Sequence, residues 1–390
     1  MIRSRQALGA TVMVGLAFGL ASNSPYARDA RAEGRLARAN ARADVEDGSK
    51  LRLAIAGLTH DHVHGAFRRL DAGDISVVGI YEPNTALAER YAAQHHIDRA
   101  LLFTDLGKML DTVKPQAVAA FGSIYDHLAV VQAAAPRGVH VMVEKPLAVS
   151  VEHAREIQAL ASQHRIHVLT NYETSWYPTT HAAFEIAVTR GELGKIRKVV
   201  VHDGHRGPKE IGVSPEFLEW LADPVKNGGG ALIDFGCYGA DLITWLMKGA
   251  APTSVSAVTQ QLKPQIYPKV DDEATIVVTY PGAQGIIQAS WNWPVGRKDM
   301  EVYGETGQIL TIDSKVMRVR RSEQSPSEEP TLPPRPEPLD DPFKYLTAVV
   351  NGTVKVEDTD LAALPLNVTV VKILDAARTS AKTGRAVSLQ

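Results

Sequence analysis

The stretch Val-His-Val-Met-Val-Glu-Lys-Pro at residues 139–146 decides the fold of this chain. Branched apolar residues are followed abruptly by an acid, a base and a proline, which indicates a buried strand that stops at its C-terminal edge. In open parallel α/β sheets, ligands bind just outside those edges. The ammonium of Lys145 is therefore predicted to face a ligand, although a solvent-exposed lysine paired with Glu144 fits the same pattern.

A second informative stretch, Gly-Gly-Gly-Ala-Leu-Ile-Asp-Phe-Gly-Cys-Tyr-Gly-Ala-Asp, covers residues 228–241. The glycine triplet permits a close backbone turn, and a helix is predicted from about Ala231. The spacing of four, three and four places four side chains on one face of that helix, namely Asp234, Tyr238, Asp241 and Trp245. A capping aspartate with surface aromatics is the alternative interpretation.

Together, the two stretches resemble the Gfo/Idh/MocA family of nicotinamide-dependent oxidoreductases, over about residues 51–390. That family has Glu-Lys-Pro at the end of a Rossmann strand and a Gly-Gly-Gly…Asp-x-Gly-x-His helix in its second domain. Tyr238 occupies the position usually held by His, as in the subfamily that resembles glucose–fructose oxidoreductase. The resemblance implies Lys145, Asp234 and Tyr238 as catalytic residues. Tyr238, Lys145 or both would accept the proton, and the Lys145 cation is expected to lower the Tyr238 pKa.

The resemblance implies a dinucleotide-binding first half, which the residues support in part. Residues 51–57 form an apolar strand ending in glycine, but the following loop keeps only the first glycine of G-x-G-x-x-G. Thr59 and Asp61 are suitable helix caps. Glu82, at the end of the second strand, favours NAD over NADP because a carboxylate repels a 2′-phosphate. The predicted cofactor-binding residues are Gly57, Thr59, His60, Glu82, Gly122, Ser123, His127, Glu144, Lys145 and Asn171.

Three alternatives to a dehydrogenase remain open. His60, His62 and His64 follow the first strand, as metal ligands do in amidohydrolase barrels, which predicts a metal-dependent hydrolase. An NAD-dependent glycosidase that oxidises its sugar transiently would use the same scaffold as the dehydrogenase. A binding protein on a degenerate enzyme scaffold would suit the imperfect glycine loop. On the main interpretation no metal is expected.

The composition narrows the class of protein. The chain has 390 residues, of which 45% are hydrophobic and 22% charged, so it is long enough for two globular domains with cores of their own. The net charge of −2 gives no basic field that would favour nucleic-acid binding. Cys237 is the only cysteine, so an intrachain disulfide is excluded.

The N-terminal region has the features of a targeting segment. Arg3 and Arg5 precede a mostly apolar stretch and an Ala-x-Ala pattern, which predicts a signal peptide over residues 1–32 and a charged flexible arm over residues 33–50. The protein is then expected in the periplasm or secreted, without a stable membrane span after processing. It would be cytoplasmic if the segment does not function. Arg3 and Arg5 are separated by Ser4 and so are not a twin-arginine pair.

The expected architecture is α/β with two domains. A Rossmann-type doubly wound parallel sheet is predicted for residues 51–170. A substrate-binding and oligomerisation domain with an open, predominantly antiparallel sheet is predicted for residues 171–390, including a Pro-rich loop near 322–342 and a last helix from about Leu366 to Thr383. The resemblance implies a homodimer or homotetramer.

The resemblance implies hydride transfer between NAD(P) and a carbinol of a sugar, polyol or related compound. Aromatic rings suit stacking against sugar faces, and imidazole or guanidinium groups suit hydroxyls or an acid group. The predicted substrate residues are Tyr125, Tyr172, Trp176, His205, Arg206 and Trp293, although core packing is an alternative role for each aromatic residue.

Overall fold

The structure is a computed structural model that describes residues 50–72 and 75–389. The predicted signal peptide and residues 33–49 of the charged arm lie outside the described residues. Within the described ranges, no helix is both long enough and apolar enough to cross a membrane.

The first domain is built on a six-stranded parallel sheet with the spatial order β3-β2-β1-β4-β5-β6. Its strands are β1 (Leu51–Ala56), β2 (Ile75–Tyr81), β3 (Leu102–Phe103), β4 (Ala117–Ala120), β5 (His140–Glu144) and β6 (Val168–Asn171). The chain winds one way from β1 to β3 and the other way from β4 to β6, so the order reverses between β1 and β4. The predicted Rossmann-type sheet is confirmed, and its C-terminal edge is the expected ligand side.

Helices cover both faces of this sheet. They are α1 (Val63–Ala72), α2 (Thr85–Gln94), α3 (Leu106–Val113), α4 (His127–Ala134) and α5 (Val151–His164). The central strands β1 and β4 are buried almost throughout, as expected for strands covered on both faces. Strand β6 ends at Asn171, so Asn171 belongs to the strand and does not follow it.

The second domain is built on an eight-stranded sheet with the order β13-β12-β11-β7-β10-β9-β8-β14. Its strands are β7 (Lys198–Gly204), β8 (Ser254–Gln260), β9 (Glu273–Thr279), β10 (Gln284–Ser290), β11 (Arg297–Tyr303), β12 (Gln308–Thr311), β13 (Met317–Arg320) and β14 (Val387–Ser388). Only the β7–β10 pair is parallel. The predicted, predominantly antiparallel sheet is therefore confirmed.

Helices cover the inner face of this sheet and connect the two domains. They are α6 (Pro178–Phe184), α7 (Pro208–Ile211), α8 (Pro215–Leu221), α9 (Ala231–Asp234), α10 (Gly236–Leu246), α11 (Pro342–Val350) and α12 (Leu364–Thr383). Helix α12 is the predicted last helix and begins at Leu364, slightly before the expected start. Its Ile373 lies in the second domain's core, whereas Val368 and Val371 lie in a core cluster of the first domain.

The helix predicted after the glycine triplet is interrupted at Phe235, between α9 and α10. Phe235 has φ −108° and ψ −29°, and Gly236 begins the next helix. The prediction that Asp234, Tyr238, Asp241 and Trp245 share one helical face is therefore wrong, because the interruption changes the angular spacing. Trp245 stacks on Phe184 with ring centroids 4.2 Å apart, and Asp241 is fully buried.

Chain segments beyond residue 340 return to the first domain. Phe343, Leu346 and Val349 of α11 pack in the core cluster that contains Leu53 and Ile55 of β1. Between β13 and α11 no helix or named strand is present in the described chain. The predicted boundary near residue 170 thus separates the two sheets. Helix α11 and part of α12 come after this boundary but pack in the first domain.

Candidate active site

Lys145 and Asp234 form a buried ion pair at the C-terminal edge of the Rossmann sheet. Lys145 follows the last residue of β5, and its Nζ donates to the Asp234 carbonyl oxygen at 2.9 Å and pairs with Asp234 Oδ1. Trp291 Nε1 donates to Asp234 Oδ2 at 2.9 Å. Both oxygens of the carboxylate are therefore engaged, and the ammonium is fixed in position.

The ion pair determines the charge of both groups. Burial alone would lower the pKa of Lys145, but the Asp234 carboxylate outweighs it and raises that pKa above its ordinary value. Burial alone would raise the pKa of Asp234, but the Lys145 ammonium keeps it below its ordinary value. Lys145 is consequently a fixed cation at neutral pH, suited to donating hydrogen bonds rather than accepting a proton.

Tyr238 lies between two ammonium groups. Its ring centroid is 5.2 Å from Lys145 Nζ and 4.7 Å from Lys298 Nζ, and Lys298 Nζ is 3.4 Å from the hydroxyl. The expectation that Lys145 lowers the Tyr238 pKa is wrong. Burial raises this pKa well above its ordinary value, and the nearby carboxyl groups of Asp203 and Glu173 raise it further. The phenol keeps its proton at neutral pH.

Sequence reasoning missed three residues of this site: Asp203, Lys298 and Glu173. The register of β7 and β11 places Lys298 directly opposite Asp203, and Lys298 Nζ pairs with Glu173 Oε2. Alternation along β7 puts Asp203 on the same inner face as Val201, a signal that the sequence contains. Lys298 lies in the charged run Arg297–Asp299, which has the composition of an exposed strand end and gives no such signal.

Two cavities meet at Glu173. The larger has a volume of about 620 Å³ and is lined by residues that include His205, Phe235, Lys298, Asp299 and Thr311. The smaller has a volume of about 330 Å³ and is lined by residues that include Asp61, His62, Glu144, Asn171 and Trp176. The buried residues Lys145, Asp234 and Tyr238 contact lining residues of the larger cavity, Phe235 and Lys298.

Glu144 makes its hydrogen bonds with His62 and Asn171, away from Lys145. It is 2% exposed, its Oε2 is 2.9 Å from His62 Nδ1, and its Oε1 accepts from Asn171 Nδ2 at 2.9 Å. Trp176 Nε1 in turn donates to Asn171 Oδ1 at 3.0 Å. Adjacent residues of one motif therefore serve two different hydrogen-bond networks.

The structure separates the three histidines of the glycine loop. The rings of His60 and His62 are 4.4 Å apart, whereas His64 Nδ1 is 2.9 Å from His95 Nε2. The predicted metal set of His60, His62 and His64 is therefore wrong. The amidohydrolase interpretation also needs a closed eight-stranded parallel barrel, and the sheets found are one open parallel sheet and one mostly antiparallel sheet.

The loop after β1 retains features of a dinucleotide site. Gly57 has φ +86°, and its amide donates to the Tyr81 carbonyl at 2.8 Å. Glu82 accepts hydrogen bonds from the amides of Leu58 and Asn84, both at 2.9 Å. A cavity of about 180 Å³ lies beside them, lined by residues that include Gly57, Thr59, Glu82, Leu106, Gly122 and His127.

These residues fit the adenosine end of a nicotinamide dinucleotide. The amides of Thr59 and Asp61 make no hydrogen bond within the described chain, so both are able to donate to phosphate. His127 Nε2, which is buried, also has no partner among the described residues. The Ser123 hydroxyl is hydrogen-bonded within its own loop, because it donates to Asp126 Oδ2 at 2.6 Å.

Helix α8 of the second domain lies over this loop. Trp220 Nε1 donates to the Thr59 carbonyl at 3.2 Å, and Asp61 Oδ2 accepts from the Ser214 amide at 3.0 Å. Asp61 therefore binds the second domain instead of capping α1, and its predicted capping role is wrong. His60 is 1% exposed, and its ring lies 4.4 Å from that of Phe217.

The predicted substrate residues lie in different surroundings. His205 lines the larger cavity and Trp176 the smaller one, and the Trp293 ring lies near Gly204, which lines the larger cavity. Tyr172 is fully buried against Tyr238, with ring centroids 5.4 Å apart. Tyr125 is 46% exposed and packs on His153, and the Arg206 carbonyl accepts from Lys263 Nζ. The structure thus brings His205 and Trp176 to the cavities, places Trp293 beside a lining residue, and leaves Tyr125 at the surface.

The burial of His127 makes a pH effect testable. Burial lowers the pKa of this histidine to about 4, and a backbone hydrogen bond with Leu147 opposes the shift only in part. In the unfolded chain the pKa of this histidine is ~6.5, so between pH ~6.5 and about 4 the unfolded chain binds a proton that the folded chain does not. Acidification through this range should therefore destabilise the fold, by up to about 3 kcal/mol from this group. Urea unfolding at several pH values should show a smaller loss in His127→Gln than in the wild type. Equal losses would contradict the assignment.

Comparison with known proteins connects both halves to one family. A profile described as "Oxidoreductase family, NAD-binding Rossmann fold" matches residues 51–172, and one for the GFO/IDH/MocA C-terminal domain matches residues 181–310. Trans-1,2-dihydrobenzene-1,2-diol dehydrogenase of Sus scrofa is 26% identical over 266 residues, which are 67% of this chain and 73% of that protein. The enzyme of the same name from Bos taurus is 27% identical, over 59% of this chain and 64% of that protein. The chain thus spans about two thirds of the length of these relatives.

Solved structures show the same fold at low identity. The aldose-aldose oxidoreductase of Caulobacter crescentus, complexed with glycerol, has a TM-score of 0.73 and 21% identity, with 87% of this chain and 100% of that chain covered. An inositol dehydrogenase homolog of Azotobacter vinelandii, complexed with NAD+, has a TM-score of 0.74 and 20% identity, with 87% and 97% covered. At such identities the likeness establishes the fold alone.

Proposed function

Because the chain belongs to the Gfo/Idh/MocA family of oxidoreductases, we propose that it is an NAD-dependent dehydrogenase that acts on a carbinol of a sugar or polyol. The observation that carries this proposal is the Lys145–Asp234 ion pair. It fixes a cation at the C-terminal edge of a dinucleotide-binding sheet, beside a polar cavity of the second domain. In families of this architecture, the cofactor lies along that edge.

The first domain would hold the cofactor through Gly57, the loop amides and Glu82. Bound NAD supplies hydride acceptance, which no amino-acid side chain provides. Gly57 permits the turn after β1, the amides of Thr59 and Asp61 are able to donate to phosphate, and Glu82 lies where a carboxylate accepts from a ribose hydroxyl. The relatives' NAD complexes support the same assignment.

Lys145 and Tyr238 would act on the oxygen of the reacting carbon. Both groups hold protons at neutral pH, so both donate hydrogen bonds to an oxygen that carries negative charge in the transition state. In the direction of carbonyl reduction one of the two groups supplies the proton. In the direction of alcohol oxidation that group first releases its own proton to water and then accepts the proton of the substrate hydroxyl. Asp234 positions Lys145, while Lys298 adds a second positive charge beside the phenol.

The lining of the larger cavity supports a polyhydroxylated substrate. Carboxylates of Glu173, Asp299 and Asp313 alternate with donors from His205, Arg297 and Lys298. Glu173 pairs with Lys298, and Arg297 pairs with Asp299. A sugar or polyol offers several hydroxyl groups that can hydrogen-bond to these charged groups, whereas an apolar diol offers only two. The cavity of about 620 Å³ has room for such a compound.

A substrate screen tests the proposed function. Purified protein with NAD should produce NADH with at least one member of a panel of aldoses, inositols, acyclic polyols and dihydrodiols. A parallel arm with aryl glycosides would detect net hydrolysis, which is the outcome of the glycosidase alternative. Absence of NADH formation and of exchange between labelled NADH and NAD across the whole panel would contradict the proposal.

Glu82 should set the cofactor preference for NAD over NADP. Its carboxylate lies at the end of β2, where it would repel a 2′-phosphate. Glu82→Ala should raise the affinity for NADP relative to NAD by about tenfold, which corresponds to about 1.4 kcal/mol. Titration with both nucleotides measures the ratio, and Glu89→Ala, an exposed acid on α2, is the control. An unchanged ratio would argue against this role.

The cellular location and the assembly state of the protein are also open to experiment. We propose that residues 1–32 direct export, and that the mature chain forms a homodimer or homotetramer. Mass analysis of the protein recovered from a periplasmic fraction would show cleavage near residue 32, and light scattering would give the assembly state. A full-length monomer in the cytoplasm would contradict both.

A further inference from the structure

We infer that His60, His62 and Glu144 form a binding site for a divalent transition metal such as zinc. Each of the three residues offers one ligand atom, and these three atoms lie within 4.8 Å of one another. The glycine loop supplies both histidines, and the end of β5 supplies the carboxylate. This site goes beyond the proposed dehydrogenase function, although His60 and Glu144 are also predicted cofactor-binding residues.

The donor set is one that transition metals prefer. Two imidazoles and one carboxylate bind zinc in many enzymes and leave at least one coordination position for water or substrate. The smaller cavity, of about 330 Å³, is lined by both His62 and Glu144 and gives access to that position. His62 is 45% exposed, so a metal ion can reach the site without unfolding.

Glu144 makes its hydrogen bonds with a histidine and an amide rather than with its neighbour Lys145. Its carboxylate is 2% exposed, and these partners are His62 and Asn171. The ammonium of Lys145 is hydrogen-bonded to Asp234 instead. A divalent ion bound by Glu144 Oε2 would replace the hydrogen bond with His62 and leave the one with Asn171 in place.

The surroundings of the three ligands already fix their orientation. Asn171 donates to Glu144 and is itself held by Trp176, which is the outer-shell arrangement typical of metal-binding carboxylates. His60 is packed against Phe217 and Trp220. His60 Nδ1 accepts from the His62 amide at 3.2 Å, and a metal bound at that nitrogen would take the place of this hydrogen bond.

Metal binding changes one proton position. His62 Nδ1 and Glu144 Oε2 are 2.9 Å apart and share a hydrogen. A metal held by these two atoms takes the place of that hydrogen, which is then carried on His62 Nε2. No oxidant or reductant takes part.

Zinc and cobalt titrations of the untagged, chelator-treated full chain test the site. The wild type should bind one zinc ion per chain in competition with a chromophoric chelator, and cobalt should give visible absorption bands. His62→Ala and Glu144→Gln should each weaken zinc binding by about 100-fold or more, since even outer-shell changes cost 10–100-fold. His64→Ala should bind zinc like the wild type, because its ring faces His95.

Two results would overturn the inference. One is a folded wild-type chain that binds no zinc. The other is zinc binding that survives unchanged in both His62→Ala and Glu144→Gln, which would place the ion elsewhere. Circular dichroism confirms folding of every variant. NAD binding is measured on the same samples, so a failure of the dehydrogenase proposal appears there and leaves the zinc result independent.

Discussion

Lys145→Met is expected to lower the turnover of the proposed dehydrogenase by about 10²–10³-fold. The variant removes the buried cation that would donate to the substrate oxygen, while keeping a side chain of similar length. Steady-state rates with the substrate found in the screen measure the effect. Turnover within a few-fold of the wild type would contradict the assignment of Lys145 to the reacting oxygen.

The same substitution should also destabilise the fold, because Asp234 loses its cation while it stays buried. Breaking a buried ion pair by removing one partner costs about 3–5 kcal/mol. The double variant Lys145→Met with Asp234→Asn removes the unpaired charge and should regain much of that stability. It should remain as inactive as the single variant, and this separates a role in the reaction from a structural role.

Lys344→Met is the matched control for Lys145→Met. Lys344 lies on α11 and pairs with Glu337 and Asp340 near the surface. Surface ion pairs contribute about 0–1 kcal/mol, so both turnover and stability should stay close to the wild type. Comparable losses in the two methionine variants would show that the buried pair has no special role.

Gly57→Ala is expected to destabilise the first domain by about 3 kcal/mol or more and to abolish NAD binding. Gly57 has φ +86°, where an L-residue is strained. A Cβ there would lie 2.7 Å from Gly122 N and 2.8 Å from Gly122 Cα, so backbone atoms of the neighbouring loop would have to move. Denaturant unfolding and NAD titration measure the two effects.

Gly138→Ala separates backbone strain from crowding. Gly138 also has a positive φ, +68°, but a Cβ there would meet no atom within 4 Å. Its cost should be limited to about 1–2 kcal/mol from the backbone, with NAD binding unchanged. If both variants lose the same stability, the contact between Gly57 and Gly122 does not constrain the loop.

The sheets and the position of Lys145 were predictable because local patterns determine them. An apolar run that ends in Glu-Lys-Pro indicated the end of β5, and the acid after the second strand indicated Glu82. Both features depend on residues that are neighbours in sequence. The predominantly antiparallel second sheet was likewise predicted, for residues 171–390, and it is confirmed.

The remainder of the site depends on contacts between distant residues. Lys298 meets Asp203 through strand register, and Glu144 meets His62 although 82 positions separate them. The pKa of Tyr238 is raised by burial first and then by nearby acidic groups such as Asp203 and Glu173, surroundings that no motif reveals. The break at Phe235 depends on two local angles, so the regular spacing around it predicted an uninterrupted helix.

Calorimetric titration of the purified protein with NAD tests the central proposal most directly. We predict saturable binding of one NAD per chain, weaker binding of NADP, and loss of NAD binding in Gly57→Ala. Absence of binding of either nucleotide to a folded wild-type chain would contradict the assignment of this protein as an NAD-dependent oxidoreductase.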